Sequence, residues 1–385
     1  MINTGKLEEA TAEVQKGEDL YCYQDSPLNK TEETILLEEI ARALIAYKLD
    51  SSNPPVTVEL HTADGRDQIY AHTADGPINL TELLSLANLN HLMFTKEEIA
   101  GYISCMPPHD QIPTQADFQD RILSADLPEY HKSALTTLEY GEQVALYRYT
   151  AASYPQMQQF LRGNYGTKNT SGGLLEIEGC PKDSIVQIIN GRIEKTLLNT
   201  VVAVHALNKL PDYTGIDIDY IKAPYLIRGQ GVKGYNVDDL ILHAKASEVT
   251  QESAFTSTSL VPLQRFNGGV QIIFHDVPGK IVWPLAQIPR ELEFLIPPTQ
   301  LKWTGHSIAA DGTHIFVVTG ANVLLESKIS KAENDVMTKM YLSTILSSNA
   351  PQEEILEVPE YEDQSSSMLG LGYDPYYISE DTLYC

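Results

Sequence analysis

The chain has 385 residues, of which 43% are hydrophobic, and a formal net charge of -25. That length is enough for two or three domains with a substantial core. A surface this acidic repels phosphate backbones and anionic lipid, so nucleic acid and membrane surfaces are not expected partners, whereas a basic or neutral protein is compatible with it.

Residues 1–20 are polar and read as a flexible N-terminus without an apolar core of signal-peptide length. No apolar run approaches the roughly 18 residues that a membrane span needs. The expectation is a protein made in a cytosol, with any export by a route other than a standard signal peptide. Cys22, Cys105, Cys180 and Cys385 are far apart, so no zinc-type spacing appears and no metal is expected. So few cysteines in so long a chain fit a reducing compartment.

Residues 21–134 read as a mostly helical accessory region with a hairpin. "TEETILLEEIARALIAYKLD" predicts a helix with Thr31 as N-cap and a mostly apolar stripe over Ile35, Leu36, Glu39, Ile40, Ala43 and Leu44. "VTVEL" and "DQIYAH", split by "ADGR", alternate as hairpin strands do. "HTADG" occurs at His61 and again at His72. Two histidines invite a metal reading, but Asp-Gly after a strand is turn chemistry, and the turn is preferred. Residues 80–140 look helical, broken at "MPPHDQIP".

From about residue 135 the pattern changes. "VALYRYTAASYPQMQQFLRG" predicts a strand or short turn running into a helix over 154–161, and "EKTLLNTVVAVHALNKL" a helix ended by Pro211. Strand-like pieces follow: "PYLIR", "AFTSTSL", "VQIIFH", "ELEFLI" and "HIFVVT", with turn signals at Gly268 and Ala310. Helices first and strands later argue for an α+β domain over 135–330. Residues 331–350 read as a helix. Residues 351–385 hold nine acidic residues and no lysine or arginine, which reads as a disordered acidic tail.

"RGQGVKG" puts Gly229, Gly231 and Gly234 at dinucleotide-loop spacing. The helix that must follow would carry Asp238 and Asp239 in its first turn, and these oppose a pyrophosphate there. No regular βαβ series follows, so the fingerprint is read as accidental. Arg228 offers another route, because its planar fork takes a phosphate by two parallel bonds. "FTSTS" puts Ser257 and Ser259 on one strand face. "RELEFLIPP" predicts a strand with Glu291 and Glu293 on one face, roughly 6–7 Å apart, and Leu292 and Phe294 on the core face. Each stretch alone is an ordinary strand.

Their order carries the information. "LIRG" is followed 29 residues on by Ser257, counting from Arg228, and 36 further on by Glu293. This resembles the arginine–serine–glutamate class of mono-ADP-ribosyltransferases, the class of many bacterial toxins and secreted effectors. "YRYTAASYPQMQQFLRG" and "ALNKLPDYTGIDIDYIKAPYLIRG" are similar to further stretches of that catalytic domain. The resemblance covers about residues 135–330. It implies a split, strongly bent β core of two packed sheets with flanking helices, and NAD as substrate in the cleft.

In that family NAD loses neutral nicotinamide, and positive charge builds on the ribose as in glycoside hydrolysis. The resemblance gives Glu293 the task of stabilising this charge, through the ribose 2′-hydroxyl. It gives Arg228 the ribose-phosphate side of NAD, Ser257 the support of Glu293, and the Gly229 backbone the nicotinamide amide. Glu291 is the acceptor-side carboxylate that goes with arginine as target, and "VWPLAQIPR", with Trp283, would face a host protein substrate. A NAD glycohydrolase using water, and a catalytically dead binding module on the same fold, are the alternatives. The resemblance further implies delivery from the bacterial cytosol into a host cell. Ubiquitin, actin, small GTPases and metabolic enzymes all remain open as targets.

Overall fold

The first helix, α1 (Glu32–Leu49), buries a face of Thr34, Leu37, Glu38, Ile40, Ala41, Leu44 and Ile45. The expected stripe is rotated, and Ile35 stays 42% exposed. The reason is Glu38, a buried carboxylate that pattern reading assigns to solvent. It is satisfied inside, accepting from the Met93 N–H at 2.7 Å and from Arg42 at 3.2 Å. In the computed structural model the described residues are 32–63, 66–83, 89, 91–106, 112–161, 182–213, 225–231, 237–252, 254–259, 269–275, 277–309 and 312–320. Thr31, Gly268, Ala310, the flexible terminus 1–20, the helix 331–350 and the tail 351–385 lie outside them.

The expected hairpin forms from β1 (Thr57–Ala63) and β2 (Arg66–Thr73), and β3 (Gly76–Asn79) extends it to a three-stranded meander. The second "HTADG" makes the turn into β3. Thr73 Oγ1 donates to the Gly76 carbonyl at 3.1 Å, and Gly76 takes φ 120°, which favours glycine. Val58, Ile69 and Ala71 bury one face of the meander. A short helix, α2 (Leu80–Leu83), follows.

Helices α3 (Lys96–Cys105) and α4 (Gln115–Ser124) each begin on a threonine capping box, Thr95 with Glu98 and Thr114 with Asp117. Next comes α5 (Glu129–Thr137). The strand expected near "VALYRY" is instead helix. α6 (Tyr140–Arg148) runs through a π-helical segment, Tyr149–Ser153, into α7 (Tyr154–Leu161). Residues 141–147 are all buried, so no apolar periodicity marks this helix. α8 (Lys182–Lys209) starts 12 residues before the expected "EKTLL" segment at Glu194, and ends as foreseen before Pro211.

Gly141 lets α6 approach α3 closely. A Cβ there would stand 2.6 Å from Ile99 Cγ2 and 2.9 Å from the Ile99 carbonyl oxygen. A backbone atom cannot step aside as a side chain can. Gly141→Ala is therefore expected to destabilise the fold by about 1–3 kcal/mol, read as a lowered denaturation midpoint.

The C-terminal half builds one eight-stranded sheet in the order β5-β10-β11-β7-β4-β6-β9-β8. Its strands are β4 (Tyr225–Gly231), β5 (Val249–Glu252), β6 (Thr256–Ser259), β7 (Gly269–His275), β8 (Lys280–Ile281), β9 (Glu293–Ile296), β10 (Thr299–Ile308) and β11 (His314–Gly320). α9 (Val237–Ala246) lies between β4 and β5 in sequence and packs on β10. β7 and β11 run parallel, and the other pairings are antiparallel. Among the described residues β4 and β6 pair only at Ile227 opposite Ser259. The sheet is thus split into a five-strand and a three-strand part. The fold is α+β, a split β core with flanking helices preceded by a largely helical N-terminal region. The main hydrophobic cluster runs from Leu37 in α1 to Val318 in β11. A smaller one, on Ile227, Ile273, Ile315 and Val317, includes the β4 residue at the split.

Candidate functional site

Gly229 and Gly231 lie inside β4, paired with Gln271 and Gly269 of β7. A phosphate-binding glycine loop needs them in the turn after the strand, so the accidental reading of that fingerprint stands. Gly234 lies outside the described residues. The expected end of the strand at Arg228 is corrected by the same pairing, which carries the ladder three residues further and leaves Arg228 mid-strand.

Arg228 lies where the sheet splits. Among the described residues the β4–β6 ladder is limited to Ile227 opposite Ser259. Past it the Arg228 guanidinium makes the link, with Nη1 donating to the Ser257 carbonyl at 2.9 Å. Its Nε is buried and has no hydrogen-bond partner among the described residues. A buried donor left unsatisfied carries a real free-energy cost and points to a missing acceptor. An anionic oxygen is the best acceptor for a guanidinium anchored at its other end.

β6 is the middle of the three strands that carry the site. Its Thr256, Thr258 and Ser259 are buried and Ser257 is half-buried. Thr258 Oγ1 donates to the Phe294 carbonyl at 3.0 Å and clamps β6 to β9. The register sets Ser257 opposite Leu295, and Ser259 opposite both Ile227 and Glu293. Directly opposed residues in an antiparallel pair share a face about 4.5–5.5 Å apart at Cα. Ser259, more than Ser257, is therefore the cross-strand neighbour of Glu293, a pairing the sequence did not single out. By strict alternation Arg228 starts from the other face, and it reaches the sheet plane at the Ser257 carbonyl.

The expected "ELEF" strand needs a correction. Pro289–Glu291 form a turn of 3₁₀-helix, and Leu292 takes φ 48° and ψ 51°, the left-handed region. The strand begins only at Glu293. Glu291 and Glu293 therefore do not share a strand face through alternation, and Leu292 is half-buried, not a core strand residue. Glu293 is 8% exposed and is followed by fully buried Phe294, Leu295 and Ile296. A non-glycine residue in this region is uncommon and marks either strain or function.

The segment before Glu293 is held from the N-terminal half. Trp283–Leu285 form another 3₁₀ turn that packs against α4. Arg121 of α4 donates to the Ala286 carbonyl at 3.2 Å, and the Gln287 N–H donates to Thr150 Oγ1 at 3.0 Å. Trp283 is half-buried against the hydrophobic cluster, and Gln287, Ile288 and Arg290 are exposed. The sequence offered no signal that α4 would brace this loop, because the contact joins segments more than 160 residues apart.

No protein-family model matches the chain, and no curated protein matches it in sequence. Similar solved structures include the ADP-ribosyltransferase HopU1 of Pseudomonas syringae, at 18% identity and TM-score 0.39 over 55% of this chain and 89% of that one. Exoenzyme S of Pseudomonas aeruginosa, in complex with human 14-3-3 protein beta and bound to carba-NAD, is 15% identical at TM-score 0.34, over 58% of this chain and 98% of that one. An ADP-ribosyltransferase of Clostridium botulinum is 17% identical at TM-score 0.33, over 56% of this chain and 99% of that one.

Proposed function

We propose that the chain is a mono-ADP-ribosyltransferase that cleaves NAD and transfers ADP-ribose to a protein side chain, with arginine as the first choice of acceptor. One observation carries the reading. Arg228, Ser257 and Glu293, far apart in sequence, occupy three adjacent strands, with Arg228 bonded to Ser257 and Glu293 opposite Ser259. The unsatisfied Arg228 Nε supports a role in holding an anionic part of NAD.

In this reading Glu293 acts on charge that exists only near the transition state. A buried carboxylate does this without reorganising when the charge appears. Arg228 holds the ribose-phosphate side, Ser257 keeps β4 and β9 in register through β6, and Gly229 lends its backbone to the nicotinamide amide. The exposed loop before Glu291, with Trp283 at its base, faces the acceptor. A host protein target and export into a host cell belong to the same reading. Release of nicotinamide from NAD by the purified chain tests the first half of the reaction, and no release removes the proposal.

Glu291 governs the second half. Its position at the end of a turn, off the strand, frees it from the Glu293 geometry and suits an acceptor-side carboxylate that orients a guanidinium. Glu291→Gln is expected to leave NAD hydrolysis within about twofold and to lower transfer to protein by about 10²-fold or more. Assaying both readouts on one preparation checks this, and parallel losses contradict the division of labour.

A further inference from the structure

The second pair of chemically notable residues lies outside this site, on the β1–β2 hairpin. The turn reading of the two "HTADG" copies accounts for their Asp-Gly but leaves the histidines unexplained. The ladder sets Thr57 opposite His72 and Glu59 opposite Tyr70. Thr57, Glu59 and His61 of β1 therefore share a face with Gln68, Tyr70 and His72 of β2, and His72 is the diagonal neighbour of Glu59. The opposite face, with Val58, Ile69 and Ala71, is packed in the core. Glu59, His61 and His72 thus stand on the outer side of a strand pair whose backbone cannot easily shift.

Their nitrogen and oxygen atoms converge. Glu59 Oε2 lies 3.3 Å from His72 Nε2 and 3.5 Å from His61 Nε2, and the three ligand atoms lie within 4.8 Å of one another. Two ligands of a tetrahedral zinc ion, each about 2.0–2.2 Å from the metal, stand about 3.3–3.6 Å apart. These two separations fall in that interval, and the two histidine nitrogens stand within 4.8 Å of each other. His72 Nε2 is shielded from solvent and makes no hydrogen bond among the described residues, although Glu59 Oε2 stands at ion-pair distance. A hydrogen bond would need the N–H aligned with the oxygen, whereas two ligands of a shared ion need only be one tetrahedral edge apart. The His61 ring stands edge-on against Tyr70 at 5.2 Å, and Tyr70 is itself held by a 2.6 Å bond to Gln68. Such support of the imidazole is what a preorganised ligand requires.

We propose that Glu59, His61 and His72 bind one divalent transition-metal ion, zinc first, through one carboxylate oxygen and the two Nε2 atoms. Two imidazoles and a carboxylate suit zinc and its borderline neighbours and do not suit calcium or magnesium, which take oxygen ligands. Three protein ligands leave the fourth position to water. The site is independent of the proposed activity, and its test does not depend on NAD.

The test is calorimetric titration of the full chain, first stripped with a chelator, with zinc chloride at neutral pH. The expected result is one ion per chain with a dissociation constant in the micromolar range or tighter. His61→Ala and His72→Ala should each weaken binding by more than the roughly 10–100-fold that loss of a supporting group costs. Zinc should also raise the melting temperature of the wild type and not that of the double variant. All three ligands are partly exposed and the buried face is untouched, so the metal-free variants should melt with the wild type, and His72→Gln serves if His72→Ala does not. Absence of stoichiometric zinc binding up to about 100 μM, or unchanged binding in the His61→Ala/His72→Ala variant, overturns the proposal.

Discussion

Replacing Glu293 by glutamine is expected to lower nicotinamide release from NAD by about 10²–10³-fold while leaving the melting curve close to that of the wild type. The amide keeps the size and one acceptor oxygen of the carboxylate and removes its charge. At 8% exposure Glu293 sits where charge is weakly screened, so its field on a developing cation is strong. The folded state should tolerate the change, since a neutral amide is cheaper to bury than a carboxylate. Loss of turnover with little change in KM is the signature of an interaction made only in the transition state. Full activity in Glu293→Gln would remove this residue from its assigned role and with it the purpose of the β6–β9 register.

The largest effect on stability is expected at Glu142, far from that chemistry. It is fully buried on α6, with Oε1 3.1 Å from His205 Nε2 and 2.7 Å from Lys209 Nζ, both on α8. Its Oε2 accepts the Glu139 N–H at 2.7 Å and caps its own helix. Burial alone would raise the Glu142 pKa, but the neighbouring His205 and Lys209 and the hydrogen bond from the Glu139 N–H outweigh it and hold the carboxyl below its usual range. Glu142→Ala strands the buried His205 and uncaps α6, and should cost about 3–5 kcal/mol. For a protein of this size that is a fall of roughly 4–6 °C in melting temperature, measurable by calorimetry. The pH dependence follows the depressed pKa. The Glu142 contribution is complete above the ordinary carboxylate pKa of about 4.3 and is lost as pH falls through the lower folded value. The wild type should therefore lose stability below about pH 4.3 more steeply than Glu142→Gln. Equal acid sensitivity would show that the cluster contributes little.

The strands legible in the sequence are those bounded by turn residues and rich in branched or aromatic side chains, as in β4, β6, β7, β9 and β11. β10 was missed because its pattern, "TQLKWTGHSI", is interrupted by a bulge between Trp303 and Gly305. α6 was misread because a helix buried all round shows no period. At the proposed site, residue types in order singled out Arg228, Ser257 and Glu293, which the fold places on three adjacent strands. The break at Leu292 could not be read, because leucine carries none of the preference for positive φ that glycine or asparagine shows. Ser259 opposite Glu293, Arg121 beneath the loop that precedes Glu293, and Glu59 between two histidines all depend on which strands and helices become neighbours. That is decided by packing across the whole chain and not by local sequence.

The most direct test of the central claim is incubation of the purified chain with NAD labelled in its adenylate part and a host-cell lysate. The expected result is label covalently attached to a protein band, resistant to denaturation and absent when Arg228→Lys or Glu293→Gln replaces the wild type. Released nicotinamide without labelled protein would make water the acceptor and overturn the transferase reading. Intact NAD would contradict the proposed activity altogether.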